Sequence, residues 1–177
     1  FNLFIKLKST GFPIIKIPIK IHKQDKKFIA LSAKRLASVL LTENCLQLRY
    51  EIPDPIKKQG KIVGADQGLK TVLTLSDGQT TPEKDSHGHS LESICKKISR
   101  KKKGSNAFKK ATDHRTNFVN WSINKLNFNN ISQINLEQIF NIKRNKKSKI
   151  LSAWCSSYIK NKVTRILEEA GVQLNLQ

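Results

Sequence analysis

Two acidic residues, Asp66 and Glu137, lie in short apolar segments with the residue types of β-strands. Ionised carboxylates are seldom buried without a partner, and a bound metal ion is one way to supply the missing positive charge. Gly64 and Gly68 share the face of Asp66 in a strand with a period of two, and they leave room there for a cation and a phosphate. From these residues alone, Asp66 is either a metal ligand or a solvated acid on an edge strand.

The stretch around Asp66 has the pattern of a β-hairpin. Residues 61–78 read KIVGADQGLKTVLTLSDG, with an apolar strand before Asp66 and a second β-rich run at 71–75. The pair Asp77-Gly78 is typical of a tight turn between strands. We therefore expect Asp66 to lie in the first strand of a hairpin, with a tight turn at Asp77-Gly78.

The same stretch resembles the opening hairpin of RuvC-like nuclease domains, as found in transposon-encoded TnpB (OrfB-type) proteins and the related type V CRISPR effectors. The typical phrase of that family is V-G-[IV]-D-x-G-[LI]-K. Further similar phrases follow in the family's order: SRKKKGS at 99–105, ISQINLEQI at 131–139, and W-x-x-x-Y followed by G-V between 154 and 172. The second phrase matches in part, because Gln138-Ile139 stands where Asp-Leu is usual.

The resemblance implies an α/β fold of the ribonuclease H-like (RuvC) type, a mixed sheet with helices, over residues 59–177. Residues 1–58 would be the C-terminal part of a wedge-type β-barrel module. Asp66 and Glu137 would be the first two of three catalytic acids that bind Mg²⁺. The third acid, and a zinc ribbon with two C-x-x-C pairs, would come after residue 177. We therefore expect an excerpt that is inactive on its own, which the start at Phe1 and the lack of Met also favour.

The charge of the chain predicts a polyanionic partner. Lys and Arg number 33 against 13 Asp and Glu, a net charge of +20, which favours nucleic acid over an anionic membrane. The resemblance implies a guide RNA and a target DNA as partners, held through their backbones rather than their bases, in the prokaryotic cytoplasm at the nucleoid. No apolar run is long enough for a membrane span, and we expect no membrane partner. The residues predicted to contact nucleic acid are Lys96, Lys97, Arg100, Lys101, Lys102, Lys103, Lys109, Lys110, Arg115, Lys143, Arg144, Lys146 and Lys147.

Hydrophobic periodicity predicts the remaining elements. Ile15, Ile17, Ile19 and Ile21 alternate with polar residues, which predicts a half-buried strand paired with residues 1–8. The other predicted elements are a helix at 32–41, a strand at 45–52, a helix at 91–98 capped by Ser90, helices at 106–126 and 148–170, and a strand at 172–176.

The cysteines and histidines suggest no further site. Cys45, Cys95 and Cys155 are widely spaced and odd in number, so we expect reduced core thiols rather than disulfides or a zinc site. His87 and His89 flank a glycine in a predicted loop, and we expect neither to bind a metal because no further ligand lies at a useful spacing.

Three functions stay open at this point. The ordered series of phrases favours an RNA-guided DNA endonuclease. The altered residues beside Glu137 keep open a catalytically inactive relative that binds RNA and DNA. The high lysine content also suits a structural RNA-binding protein, such as a ribosomal component.

Overall fold

The structure is a computed structural model, and the residues it describes are 3–20, 22–43, 45–53, 55–57, 59–139 and 149–177. The chain divides into two compact units, Phe1–Asp54 and Pro55–Gln177. Each unit contains both helix and sheet, so the chain is of mixed α/β class, as the sequence predicts.

The described part of the first unit contains one helix and two antiparallel strand pairs. Strand β1 (Leu3–Leu7) pairs with β2 (Ile15–Ile19), as the isoleucine alternation predicts. Helix α1 (Lys23–Ala30) follows, and then β3 (Lys34–Leu41) pairs with β4 (Leu46–Glu51). The helix predicted at 32–41 is therefore wrong. Pairing with β4 satisfies the backbone of β3 and overrides its modest helix propensity.

Burial in the first unit is lower than the alternation predicts. Ile15 is 55% exposed and Ile17 is 40% exposed, so the predicted burial of this strand is wrong. A two-stranded sheet has few neighbours to cover its faces. The clearest packing is between Phe28 and Tyr50, whose stacked ring centroids lie 5.2 Å apart. Ile21, the last residue of the predicted alternation, lies outside the described residues.

The second unit is built on a four-stranded mixed sheet. Strand β5 (Lys61–Gln67) is central, antiparallel to β6 (Leu73–Leu75) and parallel to β7 (Ile131–Leu136). Strand β8 (Gln173–Leu176) then pairs parallel to β7, giving the order β6–β5–β7–β8. Parallel neighbours need long crossovers, which here contain the helices of the unit.

The turn at Asp77-Gly78 forms, but it does not join the two strands of the hairpin. Gly78 adopts a positive φ of 92°, which glycine tolerates without strain. The turn leads β6 into an isolated bridge between Thr74 and Thr80. Residues 68–72 make the connection from β5 to β6.

Four helices among the described residues pack with the sheet around one core. Along the chain, helices α2 (Leu91–Ser99) and α3 (Asn106–Ile123) connect β6 to β7. Helices α4 (Lys149–Ala153) and α5 (Ser156–Ala170) follow β7 and precede β8. Ser90 caps α2, as predicted. None of the described helices is long and apolar enough to cross a bilayer. The largest fully buried side chains of this core are Leu73, Leu75, Leu91, Ile94, Ile123, Ile134, Leu136, Ile159 and Leu167.

The continuous helix predicted at 148–170 is broken at Trp154 and Cys155. In an unbroken helix the Ala153 carbonyl would accept the backbone N–H four residues later. Here it accepts the Arg115 guanidinium Nη1 and, at 3.6 Å, the Cys95 thiol. These two bonds satisfy the carbonyl at the break, so α4 ends and α5 starts anew.

The three thiols differ in exposure. Cys95 is fully buried, and burial, aided by the nearby Cys155, raises its pKa to about 11. Cys155 is half-buried, and burial raises its pKa as well. Cys45 is exposed, so the prediction of a core thiol is wrong for this residue.

We expect a thiol-alkylating reagent to label Cys45 in the native protein and to leave Cys95 unlabelled until the protein is denatured. The thiolate is the reactive species, and a rise in pKa from 9.0 to about 11 lowers the thiolate fraction of Cys95 roughly 100-fold at neutral pH. Mass spectrometry of protein treated with iodoacetamide before and after denaturation measures this difference. Equal native labelling of the two thiols would contradict the described burial.

Candidate active site

Strand β5 presents Asp66 on the exposed face of the sheet. Val63, Ala65 and Gln67 are buried on the opposite face, and Asp66 is exposed between the last two. This alternation follows from the period of two in a strand. The sheet therefore buries the apolar residues of β5 and leaves its one acid open to solvent.

Glu137 lies beside Asp66 at the carboxyl ends of two neighbouring parallel strands. The β5–β7 register pairs Ala65 with Leu136, so the next residue on each strand is an acid. The Glu137 N–H donates to the Ala65 carbonyl at 3.5 Å and extends the ladder by one bond. Glu137 is exposed and follows β7, so the expectation that it lies inside a core strand is wrong. The register still places Glu137 next to Asp66, at the end of the neighbouring strand, as expected.

The two acids line one open depression of about 670 Å³. Asn135 forms part of its wall, and the Asn135 Oδ1 accepts the amide groups of Gln133 at 2.7 Å and Asn175 at 3.2 Å. Among the described residues, no side chain forms an ion pair or a hydrogen bond with the carboxylate of Asp66 or of Glu137. Both carboxylates are therefore free to bind a cation.

The glycines around Asp66 have different roles. Gly64 lines the depression, and a Cβ added there would lie 3.7 Å from Ser76 Oγ, an ordinary contact. A Cβ added at Gly68 would lie 2.9 Å from the Thr71 carbonyl oxygen, closer than real Cβ atoms approach. Gly64 thus keeps the depression open, whereas Gly68 is required by the connection from β5 to β6.

The donors at this depression fit a hard divalent cation. Besides the two carboxylates, the lining residues Thr74, Ser76 and Asn135 have side-chain oxygens. Mg²⁺ prefers oxygen ligands, keeps several waters, and is usually held by one or two carboxylates. The residues present therefore suit Mg²⁺, the ion that the resemblance implies.

The predicted nucleic-acid contacts on α2 lie together on an exposed surface. Lys96, Lys97, Arg100 and Lys101, here called the α2 basic surface, line a groove of about 360 Å³. The Lys96 Nζ lies 2.7 Å from Glu92 Oε1, so its charge is partly balanced.

The other predicted contacts have three different outcomes. Lys102, Lys103, Lys109 and Lys110 are exposed, in the α2–α3 turn and the first turn of α3. Arg115 is half-buried and donates to the Ala153 carbonyl, so we leave it out of the nucleic-acid surface. The remaining four predicted contacts, Lys143, Arg144, Lys146 and Lys147, lie outside the described residues.

The two aromatic residues near the chain end also differ. Trp154 packs against the core, as predicted. Tyr158, also predicted to be a core residue, is 36% exposed, and its hydroxyl donates to Asn120 Oδ1 at 3.0 Å. That hydrogen bond ties the surface of α5 to α3.

A second group of metal-ligating side chains was missed from the sequence. Asp85, His89 and His114 place their ligand atoms within 4.8 Å of one another, a candidate metal-binding triad. The spacing of four residues between Asp85 and His89 was the visible signal. His114 comes from α3 through tertiary packing, and the expectation that His89 lacks partners is therefore wrong.

Comparison with protein-family models found no match, and comparison with curated proteins found none either.

We expect Gly68→Ala to destabilise the second unit and Gly64→Ala to leave its stability nearly unchanged. The added Cβ at Gly68 clashes with backbone, which we expect to lower the free energy of unfolding by about 1–3 kcal/mol, against less than about 0.5 kcal/mol at Gly64. Urea denaturation followed by circular dichroism measures both values. A larger loss for Gly64→Ala would contradict the roles given to the two glycines.

Proposed function

We propose that this chain is part of an RNA-guided DNA endonuclease of the TnpB type, with a RuvC-like site that hydrolyses phosphodiesters. The observation that carries the proposal is the position of Asp66 and Glu137, side by side at the carboxyl ends of two parallel strands. Two acids from the motifs of the resemblance, distant in sequence, share one open depression with no competing partner among the described residues.

The fold also supports the assignment of residues 59–177 to the ribonuclease H-like type. A ribonuclease H-like domain is a mixed sheet with helices, and residues 59–177 contain an antiparallel pair, β5–β6, extended by parallel β7 and β8. The helices lie in the connections between these strands. The wedge-type barrel for residues 1–58 belongs to the same proposal and draws on the strand content of the first unit.

The chain's own residues would contribute binding and orientation to the reaction. Bound Mg²⁺ activates a water and neutralises charge on the phosphoryl and leaving oxygens. Asp66 and Glu137 would hold the ion with their carboxylates, and the proposal takes a third acid from beyond residue 177. Gly64 leaves the floor of the depression without a side chain, so a backbone phosphate can approach the acids. The side chain of Asn135, whose Oδ1 accepts two amide hydrogen bonds, forms a polar wall of the depression.

The α2 basic surface would hold the phosphate backbone of a guide RNA or of its duplex with DNA. Closely spaced Lys and Arg neutralise phosphates, release counterions and give affinity that depends on salt but not on sequence. Lys96 and Lys97 lie on the exposed face of α2, whose other face is buried in the core, and Arg100 and Lys101 directly follow the helix. The helix therefore presents these charges from a fixed support.

A catalytically inactive relative is the second candidate. Gln138 and Ile139 stand where the family has Asp-Leu, and Glu137 is the residue directly before them. A protein of this kind would keep the basic surface and bind nucleic acid without cutting it.

We expect Asp66→Asn and Glu137→Gln to lower Mg²⁺-dependent DNA cleavage at least about 100-fold in the protein that contains this chain, because each removes one charged ligand. Asp77→Asn is the matched control, since it removes a charge from the turn after β6, outside the depression. Cleavage of a guide-matched duplex and binding of the guide RNA are measured in parallel. Retained cleavage in Asp66→Asn would overturn the assignment. RNA binding without cleavage by the unaltered protein would support the inactive relative instead.

We expect the double variant Lys97→Ala, Arg100→Ala to bind a 20-base-pair RNA–DNA duplex more weakly than the double control Lys84→Ala, Lys125→Ala. Removing two phosphate contacts should reduce the slope of log K against log salt by about 1.4–1.8. All four residues are exposed, so the two variants differ in where the charge is lost. Fluorescence anisotropy at several salt concentrations gives the slopes. Equal slopes for the two variants would show that the α2 basic surface is not a binding site.

A further inference from the structure

The loop from Asp85 to His89 is closed by its own backbone. The Asp85 N–H donates to the His89 carbonyl at 3.0 Å, and the Gly88 N–H donates to the Asp85 carbonyl at 3.0 Å. Gly88 has a φ of 79°, in the left-handed region that favours glycine. These bonds hold Asp85 and His89 on the same side of a tight turn.

The Asp85 carboxylate is oriented by this turn. Its Oδ1 accepts the backbone N–H groups of His87 and His89, each at 2.9 Å. Desolvation opposes ionisation of Asp85, but the hydrogen bonds from His89 and His87 outweigh it and hold the pKa below its usual value. The carboxylate is therefore charged at neutral pH, and its Oδ2 is directed at the two imidazoles.

The second imidazole lies on a helix that packs against the core. The Asp85 Oδ2 lies 3.3 Å from His89 Nδ1 and 4.0 Å from His114 Nε2. The rings of His89 and His114 meet edge to face with centroids 4.9 Å apart. His114 lies on α3, whose Phe118 and Val119 are buried, so its position is fixed by packing.

A hydrogen bond explains only part of this arrangement. The 3.3 Å contact between Asp85 and His89 can be an ordinary hydrogen bond, whereas 4.0 Å from Asp85 to His114 is too long for one. The approach of His114 to the same carboxylate oxygen is therefore the part that a shared metal ion would explain.

The distances are close to those of a zinc site. Zinc bonds of about 2.0–2.1 Å at tetrahedral angles place neighbouring ligand atoms about 3.4 Å apart. The Asp85–His89 contact already has this length, the Asp85–His114 contact must shorten by about 0.6 Å to reach it, and all three ligand atoms lie within 4.8 Å of one another. The side chains of Asp85, His114 and His89 are 18%, 32% and 48% exposed, so a fourth position can be taken by water.

The ligand types select against Mg²⁺. Two imidazole nitrogens and one carboxylate suit zinc and its neighbours among the transition metals, whereas Mg²⁺ and Ca²⁺ take oxygen ligands.

We propose that Asp85, His89 and His114 bind one divalent transition-metal ion, with Zn²⁺ as the best fit, and that the ion fixes the loop before α2 to helix α3. The site is separate from the acidic depression of Asp66 and Glu137, and it does not depend on nuclease activity.

The test is zinc binding by the tag-free, metal-depleted chain, measured by competition with a chromophoric chelator. The exposed thiol of Cys45 is a competing ligand, so all measurements use the Cys45→Ser background. We expect one Zn²⁺ per chain, undisturbed by millimolar Mg²⁺. Bound Zn²⁺ should also slow hydrogen exchange at the amides of His87 and His89, which would report the fixed loop.

The variants separate ligands from neighbours. His89→Ala and His114→Gln should each lower the zinc affinity about 100-fold, and His87→Ala is the matched control because its ring lies outside the triad. Asp85→Asn keeps an oxygen acceptor for the turn but removes the charge, and it should weaken zinc binding without unfolding the loop. Asp66→Asn should leave the zinc affinity unchanged, which keeps this test distinct from that of the nuclease.

Failure of the chain to bind zinc would overturn the proposal. So would an equal loss of affinity in His87→Ala and His114→Gln, or displacement of the zinc by Mg²⁺. Circular dichroism of each variant shows whether it is still folded, so a loss of zinc binding can be told apart from unfolding.

Discussion

The parallel register of β5 and β7 is the constraint on which the second unit depends. It places Ala65 opposite Leu136, and from that one pairing follow both the buried face of the sheet and the adjacency of the two acids. A shift of one residue would turn one acid inward and one core residue outward, because strand side chains alternate between faces. The free energy that fixes the register therefore comes from burial of apolar residues such as Val63 and Ile134. The candidate site depends on the core rather than on its own polar contacts.

The second unit brings together two donor sets of different chemistry. The acidic depression offers oxygen atoms alone, on the open face of the sheet. The triad of Asp85, His89 and His114 offers two nitrogens and one oxygen, between a loop and a helix. Because hard and borderline cations prefer different ligands, the two proposed sites would favour different ions. Selectivity lies in the donor atoms at each position.

Features encoded within a few residues were predictable from the sequence. The alternation at Ile15, Ile17 and Ile19 gave β2, and Ser90 gave the start of α2. Gly171, with a φ of 70°, ends α5 at the boundary predicted for the helix at 148–170. Asp66 was identifiable because an acid in an apolar strand is unusual. Each of these signals lies within one element, where local periodicity and capping decide the structure.

Features that depend on distant residues were not predictable. Strand β3 was mistaken for a helix because only its partner β4 makes the extended form favourable. The break after Ala153 requires Arg115 and Cys95, both on other helices. The proposed role of His89 depends on His114, which lies on α3, 25 residues later in the sequence. In each case the deciding group is far away in sequence, and periodicity contains no information about it.

The contact between Arg115 and Ala153 shows that the basic residues of the protein are not equally available to a polyanion. Arg115 is one of 33 basic residues, yet its guanidinium satisfies a carbonyl inside the fold. Lys96 and Lys70 are each paired with a glutamate. The formal net charge of +20 already counts these glutamates, so the pairing changes where positive charge is available to a polyanion and not its sum. Within the described chain, the positive field should be strongest at the α2–α3 turn, where Lys101, Lys102 and Lys103 form no ion pair with any described acid.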